Sequence, residues 1–69
     1  MTSNGSQSDL NFNRRISIVK KATQKLQQAK EPDEHRKFYS LISMASSTVG
    51  VEDQSTAKRL LNLIGSILG

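Results

Sequence analysis

Few residues in this chain are equipped for chemistry, and their spacing limits what they can do. The one histidine, His35, stands in "PDEHRK" beside Asp33 and Glu34. Imidazole and carboxylate are metal-ligating groups, but consecutive residues on a helix point about 100° apart. No second histidine and no cysteine completes a ligand set, so no metal and no cofactor is implied. Serines crowd "SLISMASSTVG" at 40–50, yet no histidine lies at a spacing that suggests a paired base, and no glycine-rich loop cradles a phosphate. A non-enzymatic role is expected. The remaining signal of this kind is "RRIS", Arg14, Arg15, Ile16 and Ser17, which resembles the Arg-Arg-x-Ser pattern of basophilic kinases. It makes Ser17 a candidate phosphorylation site, where a phosphate would offset part of the local positive charge.

That charge is the most uneven feature of the sequence. The segment "FNRRISIVKKATQKLQQAK", residues 12–30, carries Arg14, Arg15, Lys20, Lys21, Lys25 and Lys30 without one acid, while the chain as a whole is only +4. Exposed helices usually mix signs, because opposite charges at i and i+4 stabilise a helix and like charges repel. Lys21 and Lys25 are such a like-charged pair. A segment of this kind suits an anionic partner.

The elements that position these residues follow from the apolar spacing. "MTSNGSQS" has no periodic apolar residue, so residues 1–9 are expected to form a flexible polar tail. Phe12, Ile16, Val19, Thr23 and Leu26 recur at alternating steps of four and three, which predicts a helix over about 11–30 with this row facing the core and Asp9 or Asn11 as its cap. On that wheel Arg14, Lys21 and Lys25 cluster almost opposite the core. Pro32 ends the first helix and suits the first turn of the next, predicted over about 33–48 with Phe38, Leu41, Ile42, Ala45 and Val49 inward and Gly50 as a left-handed stop. Asp53 or Ser55 caps a third helix over 53–68, whose six Leu and Ile residues spread over an arc of about 160°, wider than a two-helix contact requires. Leu60 and Ile64 fall in the core and Leu61 and Leu63 at the edges of the arc. The expected fold is a small all-α three-helix bundle, residues 10–69, behind the tail.

No apolar run approaches the roughly 20 residues that span a bilayer, and the first eleven residues lack the pattern of a signal peptide. With no cysteine to form disulfides, an intracellular, cytoplasmic setting is expected. Three kinds of anionic or amphipathic partner compete. Non-specific nucleic acid would use the lysines and arginines, but three aromatics leave no stacking platform once the core is filled. An anionic membrane surface would suit a basic amphipathic helix, at the cost of a core already poor in apolar residues. A protein partner, acidic or helical, uses both the basic face of helix 1 and the surplus arc of helix 3, through Arg14, Lys21 and Lys25 for charge and Leu61 and Leu63 for apolar contact. The same arc would also serve a homodimer seam.

The stretch "DEHRKFYSLIS" followed by "AKRLLNLIGSIL" resembles the second and third helices of the small C-terminal X domain of paramyxovirus phosphoproteins. That resemblance implies a three-helix bundle that binds a helix-forming partner segment in a groove between two of its helices.

Overall fold

Pro32 has no N–H to give to a preceding helical turn, and its ring fixes φ where a helix begins. The computed structural model describes residues 3–69, with side chains from Asp9 onward. In it the first helix, α1, spans Ser3–Gln28 and α2 spans Pro32–Ser47. Glu31 stands at the start of α2, where its backbone N–H donates to the Glu34 carboxylate at 3.3 Å, and Asp33 and Glu34 place negative charge in the first turn. A short 3-10 turn, Thr48–Gly50, leads to α3, Gln54–Leu68. Asp53 caps α3, accepting from the Ser55 amide at 3.1 Å and the Thr56 hydroxyl at 2.8 Å.

The three helices form an all-α bundle. Asn11 meets Gln54 near one end of α1 and α3, and Ile18 lies beside Gly65 further along both, so these two helices run in the same direction. Arg15 meets Thr48 at the end of α2, so α2 runs the other way. The core joins Ile18 and Ala22 of α1, Leu41 and Ala45 of α2, and Leu61, Ile64 and Leu68 of α3, with Val19, Phe38 and Ile42 packed against it.

The structure departs from the expected boundaries in three places. First, α1 starts at Ser3, so residues 3–9 of the stretch assigned to the tail are helical, and neither Asp9 nor Asn11 is a cap; residues 1 and 2 of that stretch lie outside the described residues. Second, α2 ends in a 3-10 turn and not in a left-handed glycine, since Gly50 has a negative φ. The backbone N–H of Thr48 reaches the carbonyls of Ala45 and Ser46, which tightens the last turn. Third, the inward row of α1 is shifted by one residue from the row chosen on hydropathy. Asn11, Ile18 and Ala22 are buried and Arg15, Lys25 and Ala29 are partly buried, while Phe12 and Ile16 are about half exposed, at 56% and 49%. A shift of one residue turns a helix face by about 100°. Ala22 and Ala29 let the backbones approach, and Asn11 and Arg15 find hydrogen-bond partners, so the less apolar row is the one that faces the core.

Candidate functional site

Helix α3 carries two parallel rows. The inner one, Ala57, Leu61, Ile64 and Leu68, steps by four, three and four and is buried throughout. The outer one, Thr56, Leu60, Leu63 and Ile67, repeats those steps one residue earlier and is exposed. Leu63, at 55%, is the most open of its large apolar side chains. Gly65 and Asn62 lie on the other flank of the inner row, where they face Ile18 and Arg14 of α1. The outer row is therefore turned away from α1, and Leu60, Leu63 and Ile67 keep 38%, 55% and 45% of their surface exposed. Leu61, expected at the edge of the apolar arc as a contact residue, is instead fully buried, and the core position expected at Leu60 falls to Leu61.

Helix α1 repeats the arrangement. Its inner row is Asn11, Arg15, Ile18, Ala22, Lys25 and Ala29, and the row one residue later, Phe12, Ile16, Val19, Thr23 and Leu26, runs from exposed at Phe12 to half-buried at Leu26. Each of these two helices is apolar over more surface than its own bundle covers. That is the source of the wide arc seen in the sequence of helix 3.

The basic side chains are placed differently from the expected single face. With the buried row of α1 rotated by about 100°, Arg14 and Lys21 flank it, Arg14 on the side of α3, while Lys25 belongs to the row itself; none of the three stands opposite it. The Arg14 guanidinium donates to the Asn62 side-chain carbonyl. Arg15 donates from Nε to Thr48 Oγ1 at 2.8 Å. Lys25 is half-buried beside Gln28, Ala29, Glu34 and Phe38, around a depression of about 190 Å³, smaller than the roughly 300–1,000 Å³ that enclose a small ligand. Lys21 is exposed. Arg14 and Leu63 thus do not share a face, because Leu63 points away from the helix that carries Arg14. Among the described residues no carboxylate forms an ion pair with any of the lysines and arginines.

Ser17 is exposed on α1, while both arginines of "RRIS" are held by other helices. Asp33, Glu34 and His35 are exposed near the start of α2, and no group of three or more metal-capable side chains occurs among the described residues. No described helix is long and apolar enough to cross a membrane. Two buried polar positions were not expected in the core. Asn11 is buried and donates from Nδ2 to the Gln54 carbonyl at 2.9 Å and to its Oε1 at 2.8 Å, and Thr48 is buried at the end of α2. Nothing in the local pattern marks either of them as buried, since Gln54 and Arg15, which meet them from other elements, are 43 and 33 residues away.

No family model, no curated protein and no solved structure matches this chain. The resemblance to the X domain therefore stands on its helical pattern alone.

Proposed function

We propose that this chain is a non-enzymatic interaction module that takes an acidic, helix-forming protein segment along the outer row of α3. The observation that carries the proposal is the exposed row Leu60, Leu63 and Ile67 beside a complete buried row on the same helix. An apolar row at this spacing fits the apolar stripe of a second helix. Arg59 lies one turn before Leu63 on its flank and is exposed, so a carboxylate on the incoming segment would find a cation there. The chain carries ten lysines and arginines against six acids. Unpaired within the described structure, they give a positive field that speeds the approach of an acidic partner. Lys21 acts in this field and not as a contact. The lack of cysteine goes with an intracellular setting.

The test is a titration of the chain with a labelled model peptide, a Glu-rich helix with leucines at i, i+3, i+4 and i+7. Saturable binding that Leu63→Glu weakens by about tenfold or more, with helicity unchanged, is the expected result. Two other probes run in parallel. Binding that appears only on phosphatidylserine vesicles, with a gain of helicity, would replace the partner protein by a lipid surface. Binding to duplex DNA that falls steeply with salt would replace it by nucleic acid.

A further inference from the structure

The outer row of α1 is a second uncovered surface, independent of the α3 row and of the function proposed for it. Phe12 and Ile16 are its exposed apolar members, four residues apart and so adjacent on one side of the helix. Two charged residues share their face, Asp9 toward one end and Lys20 toward the other, both exposed. Eleven residues, about three turns, separate them. Neither forms an ion pair within the described structure.

The spacing is self-complementary. The midpoint of Phe12 and Ile16 is position 14, and that of Asp9 and Lys20 is position 14.5. If two copies of α1 are laid antiparallel about this point, Phe12 of each meets Ile16 of the other. The same placement sets Asp9 of each against Lys20 of the other, within about one residue of rise, 1.5 Å. This is the reciprocal pattern of a two-fold interface, in which residue i meets j and j meets i. Arg14 and Arg15 stand at the centre of this stretch in sequence, but their bonds to Asn62 and Thr48 hold both guanidinium groups on the bundle side. Two copies of a +4 chain repel, so they can meet only where the charge is locally balanced, and Asp9 with Lys20 supplies such a place. The same Asp9 opposes an acidic peptide or an anionic lipid on this face.

We propose that the chain forms an antiparallel two-fold dimer through α1, with Phe12 and Ile16 as the apolar centre and reciprocal Asp9 to Lys20 pairs at its two ends. Sedimentation velocity on the full chain, from about 10 μM to about 1 mM, tests it. The wild type moves to twice the monomer mass as concentration rises, and Phe12→Glu stays monomeric with an unchanged circular dichroism spectrum. Asp9→Lys weakens the dimer by about tenfold, and the combined exchange Asp9→Lys with Lys20→Asp restores it, since the pairs re-form with reversed sign. A wild type that is monomeric throughout overturns the proposal. So does a dimer that survives Phe12→Glu, one that Leu63→Glu dissolves, or a double exchange that fails to restore association.

Discussion

Arg15 donates its Nε–H to the hydroxyl of Thr48, and Thr48 passes its own proton to the Ala45 carbonyl at 2.6 Å. A single buried oxygen thus closes the end of α2 and ties it to α1. Its position explains why α2 does not need a left-handed glycine to stop. The last carbonyls are satisfied by the Thr48 side chain and backbone, and the chain turns through a 3-10 segment.

Thr48→Val keeps the volume and removes both functions of the hydroxyl. It should lower unfolding free energy by about 1–2 kcal/mol, because the Ala45 carbonyl loses a donor and Arg15 an acceptor in a buried place. Thr48→Ser keeps the hydroxyl and should cost less. Urea melts of the three proteins check this, and a Thr48→Val protein as stable as wild type would mean that the hydroxyl's two bonds contribute nothing.

The two rows of α3 differ in what truncation does. Leu61→Ala removes a fully buried side chain and should cost about 2–5 kcal/mol. Leu63→Ala removes an exposed one and should stay within about 0.5 kcal/mol of wild type in stability, while weakening the acidic model peptide. Denaturant midpoints and the peptide titration separate the two outcomes. A large stability loss at Leu63 would place that side chain in a contact and not on an open surface.

The same contrast shows what could be read in advance. Three helices, the break at Pro32 and the cap at Asp53 were legible, because each follows from local chemistry: a missing N–H, a fixed φ, a short side-chain acceptor. The period of α1 was legible and its phase was not. Two rows with the same steps lie one residue apart, and hydropathy favours Phe12, Ile16 and Val19 over Asn11, Arg15 and Ile18. What decides between them is whether Asn11 finds Gln54 and Arg15 finds Thr48, contacts across 43 and 33 residues that no window along the chain contains. The surplus arc of helix 3 was visible in the sequence, and one of its core positions was misplaced by the same kind of step, on Leu60 where the structure buries Leu61.

Asp53 gives the stability a pH dependence of known sign. Hydrogen bonds from the Thr56 hydroxyl, then from the Ser55 amide, hold its carboxyl below the ordinary 3.8. The native state therefore favours the ionised form. The stabilisation is fully present above the ordinary value and is lost as pH falls through about 3.8 and below. Asp53→Asn keeps an acceptor at the cap, so its melting temperature near neutral pH should stay close to wild type, while its acid decline should be shallower. Thermal melts across the acid range decide this. Parallel acid limbs for the two proteins would assign the decline to the other carboxylates.

Gly65 is a place where a larger residue should help. It lies inside α3 at a helical φ, and a Cβ built on it would stand 3.9 Å from Ile18 Cδ1, an ordinary van der Waals distance. Alanine there fills space without strain and removes the backbone freedom that glycine must lose on folding. Gly65→Ala should raise stability by about 0.5–1 kcal/mol, visible as a higher urea midpoint with an unchanged slope. A destabilised Gly65→Ala would mean that α1 and α3 approach more closely at Ile18 than this distance allows. In that case the row Asn11, Ile18 and Ala22 would be held by tighter contact than the side chains alone suggest.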